Sequence, residues 1–108
     1  MAALSAQRLA VAGAAPSYSA AAAGGDTAPV GKGLVLHVVN GSGSAVTVTV
    51  VTPGTIDGLA VADAALSVPA GASGFIPLGN VYRNPSTNRA AVTYSATTTV
   101  SVAVLQLP

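Results

Sequence analysis

From Gly33 onward, apolar side chains recur at every second position, the spacing of strands that turn one face to a core. In 34–39, Leu34, Leu36 and Val38 alternate with Val35, His37 and Val39, so both faces are apolar or nearly so. In 45–52, Val46, Val48 and Val50 point one way and Thr47 and Thr49 the other, the pattern of a half-buried antiparallel strand. Asn40-Gly41-Ser42-Gly43 between them is a strong turn signal, and Pro53-Gly54 closes the second strand. Further strands are expected at 66–68, at 75–78 with Pro77 marking an edge or irregular position, at 91–95 and at 98–107. In the last, Val100, Val102 and Val104 line one face, with Thr99, Ser101 and Ala103 on the other. The six alternating valines are the predicted core, with Phe75 and Tyr94 as further anchors. Residues 55–65 read as a loop fixed by Ile56, Leu59 and Val61, with Asp57-Gly58 as a turn.

The first 32 residues lack this alternation. They are rich in Ala, Gly and Ser, broken by Pro16 and Pro29, and carry a Gly24-Gly25-Asp26 turn signal. Residues 2–12 have the composition of a short helical turn, but a helix of that length is marginal alone. The chain is therefore expected to divide into an extended Ala/Gly-rich N-terminal arm, 1–32, and a β domain, 33–108. Six strands separated by Gly/Pro punctuation, with room for a seventh in the arm or in 55–65, predict an all-β fold, a small antiparallel β-sandwich or jelly-roll-like barrel. The arm is expected to contact other subunits more than its own domain, since its small side chains permit close backbone approach to a groove.

Charge changes the picture of the surface. Among 108 residues only Arg8, Lys32, Arg83, Arg89, Asp26, Asp57 and Asp63 carry charge, 6% of the chain with a net charge of +1. Ordinary soluble domains carry about 25%. No basic footprint for nucleic acid exists, no polybasic patch for anionic lipid, and no apolar run long enough to span a bilayer as a helix. So sparse a charge shell offers little resistance to association, which favours a surface covered by protein partners. The apolar run 9–15 is short, interrupted by Gly13 and preceded only by Arg8, a poor match to a secretory signal.

The candidate chemistry is meagre. There is no cysteine, hence no disulfide framework, thiolate nucleophile or sulfur-bound metal. His37, the one histidine, sits mid-strand without a carboxylate nearby in sequence, so no base, orienter and nucleophile set is in view. Asp26, Asp57 and Asp63 fall in separate predicted loops, so no metal site is expected. Gly31-Lys32-Gly33 precedes a strand where a phosphate loop would need a helix. No catalytic residue and no cofactor is expected. Tyr and Arg are enriched at protein interfaces, and the candidates for contact are Tyr18 and, in or beside the polar loop 80–88, Tyr82, Arg83 and Arg89.

Four segments carry a resemblance: 16–27 (Pro-Ser-Tyr-Ser, an alanine run, then Gly24-Gly25-Asp26-Thr27), 36–43 (Leu36-His37-Val38-Val39-Asn40-Gly41-Ser42-Gly43), 46–54 and 92–95 (Val92-Thr93-Tyr94-Ser95). Over about 14–107 the chain resembles small virion proteins of tailed phages infecting actinobacteria, with Val39 where that pattern would place a lysine. The resemblance implies a capsid decoration (cement) or minor capsid protein on the virion's capsid surface. Its partner would be the major capsid protein, and it would act as a homo-oligomer, a trimer favoured, with no enzyme activity and no nucleic-acid or membrane partner. The alternatives are a tail-associated subunit or a carbohydrate-binding β-sandwich module. Against the last stands the absence of tryptophan.

Overall fold

A computed structural model describes residues 2–9, 13, 16–53, 55–60 and 63–107. Its strands are β1 (Ala2–Ala3), β2 (Ala6–Arg8), β3 (Ser19–Ala20), β4 (Asp26–Ala28), β5 (Leu34–Asn40), β6 (Val46–Val50), β7 (Thr55–Ile56), β8 (Leu59–Ala60), β9 (Ala64–Val68), β10 (Ser73–Pro77), β11 (Ala90–Tyr94) and β12 (Val100–Gln106). One 3₁₀ turn, Asn80–Tyr82, interrupts them, and the described residues include no α-helix. Two five-stranded sheets form a sandwich. The first has the order β1-β4-β11-β6-β9, and the second β10-β5-β12-β2, with β3 also paired to β12. The all-β sandwich expected from the alternation is what the chain forms.

The core is the set of inward positions of that alternation. Val46, Val48 and Val50 of β6 and Val100, Val102 and Val104 of β12 are all at most 1% exposed. Leu36 and Val38 of β5, Val92 of β11, Val68 of β9 and Leu78 join them. A slip of one residue in either strand would turn its valines to water, which fixes the register. Asn40 is the polar exception within this core. Its Nδ2 donates to the carbonyls of Ser44 (2.8 Å) and Val68 (3.0 Å), and its Oδ1 accepts from the backbone N–H (3.0 Å) and hydroxyl (2.6 Å) of Ser42. The turn after β5 is thereby tied to the end of β9.

Several expectations are corrected. Residues 2–8 are extended, but their backbone groups find sheet partners within the chain. β1 lies parallel to β4, with Ala2 opposite Asp26, and β2 lies parallel to β12, with Ala6 opposite Val104. β3 and β4 likewise pair with β12 and β11 of the same chain. The described parts of 1–32 are thus built into both sheets, and the segment crosses from one sheet edge to the other instead of standing off as an arm. Leu4 is buried between them, and its N–H donates to Thr27 O at 2.8 Å. Arg89 reinforces the crossing: its guanidinium donates to Thr27 Oγ1 (3.0 Å), to Thr27 O (3.1 Å) and, by a short bond, to Leu4 O.

Phe75 is 56% exposed rather than an anchor, because the alternation in β10 turns Gly74 and Ile76 inward and Phe75 and Pro77 out. Residues 55–60 are a two-stranded hairpin, with Asp57 (φ 51°) and Gly58 (φ 79°) forming the expected turn. Leu59, expected as an anchor, is 73% exposed at that tip, and Val61 lies outside the described residues.

The Gly24-Gly25 signal has a steric cause. Gly25 holds φ +92°, and a Cβ there would lie 2.6 Å from Val92 O. Gly43, by contrast, has open space around the corresponding position. Gly25→Ala is expected to cost at least about 2 kcal/mol, and Gly43→Ala close to nothing, in paired urea denaturation curves. Arg89→Met, which keeps the aliphatic stem, should cost about 2 kcal/mol and speed proteolysis within residues 2–9.

Candidate functional site

The four residues singled out from sequence do not converge. Tyr82 lies in the 3₁₀ turn and packs half-buried against the core. Arg83, exposed, donates to Asn88 Oδ1 at 2.7 Å within its own loop. Arg89 is spent on the backbone of residues 4 and 27. Tyr18 alone stands with other aromatic groups, and it does so on the outer face of the second sheet.

That face follows from strand register. β5 turns Leu34, Leu36, Val38 and Asn40 inward, so Val35, His37 and Val39 point out. Across the ladders, Phe75 and Ala103 flank His37, Pro77 and Leu105 flank Val35, and Ser73 and Ser101 flank Val39. None of these positions on the outward side carries a carboxylate, ammonium or guanidinium, and two of them, Ala103 and Leu105, are buried, so the open part of the face lies on β5 and β10. At the centre of the face the His37 and Phe75 rings stack with centroids 4.2 Å apart and planes 9° from parallel. Tyr18 meets His37 edge-on at 5.5 Å and 69°, and its hydroxyl lies 2.5 Å from His37 Nδ1. In the neutral Nε2–H tautomer the hydroxyl donates to Nδ1; in the Nδ1–H tautomer the ring donates to the phenol oxygen. Burial lowers the His37 pKa below its ordinary 6.5, which keeps the patch uncharged at neutral pH. Phe75 and Tyr18 remain exposed, as does Leu107 beyond the end of β12.

Such a patch can bind but has little else to offer chemically. His37 bonds a phenol and not a carboxylate, and among the described residues no three His, Cys, Asp or Glu side chains gather as a metal site would require. A cavity of about 240 Å³ lies between the N-terminal segment and β12, lined by Leu4, Ser5, Gln7, Ser17 and Ser19 with the β12 residues, without a titratable group. No helix among the described residues is long and apolar enough to cross a membrane.

The polar pair that sequence reading missed is internal. Asp26, expected in a loop, sits in β4 and is fully buried, where Oδ2 accepts from the Tyr94 hydroxyl at 2.6 Å and from the Ala22 N–H at 3.3 Å. Burial, then the hydrogen bond to Asp26 and its charge, push the Tyr94 pKa far upward. The phenol is therefore a permanent donor, and the pair fastens the turn at 22–25 to β11. A Gly-Gly-Asp turn followed by a distant Tyr at a strand end gives no spacing signal that would have revealed it.

The lowered His37 pKa sets a pH dependence. The unfolded chain takes up a proton on this imidazole before the folded chain does, so the stabilisation is whole above pH 6.5 and is lost as pH falls below it. The thermal midpoint should drop between about pH 7.5 and about pH 5.5, and His37→Gln should flatten that part of the profile. Comparisons with family models, with characterised proteins and with solved structures find no match to this chain.

Proposed function

We propose that this chain is a structural protein of a tailed-phage virion, a capsid decoration (cement) protein that binds the outside of the head and acts without enzymatic chemistry. The observation that carries the reading is the charge-free outer face of the second sheet, with Phe75, His37 and Tyr18 at its centre. Aromatic groups supply large contact area at low entropic cost and dominate binding energy in protein interfaces. A face without charged groups avoids the desolvation penalty that covering them would impose. The scarcity of charge over the whole chain and the resemblance of 14–107 to small virion proteins point the same way. The partner is then the major capsid protein, reached through this face.

The test is binding of purified protein to heads that lack it. Wild type should sediment with the heads, and Phe75→Lys should bind at least about tenfold more weakly, since it places an ammonium in the contact, while keeping the wild-type circular dichroism. Failure of the wild type to bind heads would remove the capsid role. Equal binding by Phe75→Lys would remove this face from it.

A further inference from the structure

Among the described residues the sandwich has four sheet edges, and three of them are blunted. β1 is only two residues long, β2 is three residues with Arg8 at its end, and β10 carries Pro77, which has no N–H to offer a neighbour. β9 differs. It presents five residues, Ala64–Val68, with no proline, charge or bulge, paired to β6 along its whole length from Val46↔Val68 to Val50↔Ala64. Among the described residues no strand pairs with its other side. An edge of this kind is a template for another strand unless it is protected.

We infer that β9 pairs antiparallel with β9 of a second copy, joining the two first sheets into one continuous sheet across a two-fold axis. The strand is self-complementary in this arrangement. A two-fold antiparallel pair centred on Leu66 sets Leu66 against its mate, Ala65 against Ser67 and Ala64 against Val68. Charged residues in such a pair would confront like charges or distort the register, and β9 has none. The nearest charge, Asp63, falls opposite Pro69 rather than opposite another Asp63. On the outer side Ala65 and Ser67 are small and exposed, so the backbones can approach without obstruction. On the inner side Leu66 is only half-buried; it packs over Gly74, where a Cβ would lie 2.7 Å from Leu66 Cδ2. Pairing brings a second leucine against it and extends the core across the axis. A five-residue edge covers much less area than the roughly 1,200 Å² of a standard stable interface. The pair is therefore weak, and forms at the local concentrations of an assembly more readily than in dilute solution.

Sedimentation velocity from low-micromolar to sub-millimolar concentration should show a monomer–dimer equilibrium for the wild type. Ala65→Lys should raise the dissociation constant at least about tenfold, with circular dichroism unchanged, and Ser67→Lys should do the same. Phe75→Lys, on the outer face of the other sheet, should leave the dimer intact. The chain has no native cysteine, so the register can be read directly. Ala65→Cys mixed with Ser67→Cys should give an oxidised dimer, and neither variant alone should do so efficiently. A wild type that stays monomeric throughout, a trimer, or a dimer that survives both lysine variants would each overturn the inference. So would a dimer dissolved by Phe75→Lys.

Discussion

The antiparallel ladder between β5 and β12, seven residues deep from Val100↔Asn40 to Gln106↔Leu34, is the constraint on which the other features rest. Its inward side supplies Leu36, Val38, Val100, Val102 and Val104 to the space between the sheets. Burying this many branched side chains is worth more than any polar contact in the molecule, at about 1.5–3 kcal/mol for each fully buried side chain. The same alternation dictates the outward side, so His37 stands out because Leu36 and Val38 stand in. β10 then adds to β5 and brings Phe75 alongside His37, while β2 and β3 add to β12. The aromatic patch is thus a consequence of core register rather than an independent feature of loops.

The N-terminal segment shows how a chain of small residues is held without a core of its own. Strands of two or three residues carry little pairing energy, and parallel pairs are slightly weaker than antiparallel ones. The deficit is met by one buried leucine, by the Arg89 guanidinium on the carbonyls of Leu4 and Thr27, and by the Asp26–Tyr94 bond. A molecule this short of charge therefore commits an arginine and an aspartate to internal fastening. Little charge is left to keep copies apart.

What could be read from the sequence followed from side-chain size. Valines alternating with threonine and serine declared the faces of β6 and β12, and the Asn40–Gly43 and Asp57-Gly58 turns were visible in their residue types. Strands β1 to β4 were opaque because such short runs of mostly small residues carry no periodicity, and their sheet partners are chosen by backbone groups that every residue shares. The orientation of Phe75 turned on whether Ile76 and Leu78 or Phe75 and Pro77 faced the core, and the larger ring was the wrong guide. Of the interface candidates, Tyr18 belongs to the aromatic patch. The internal role of Arg89 had no sequence signal, because its acceptors are carbonyl oxygens 62 and 85 positions away.

The proposal that the outer face of the second sheet is an assembly surface is best tested by cryo-electron microscopy of phage heads assembled with this protein. Density for the chain is expected on the outside of the head, with Tyr18, His37 and Phe75 covered by a neighbouring subunit. No density on the head, or a head-bound copy with those three rings turned to solvent, would contradict the proposal.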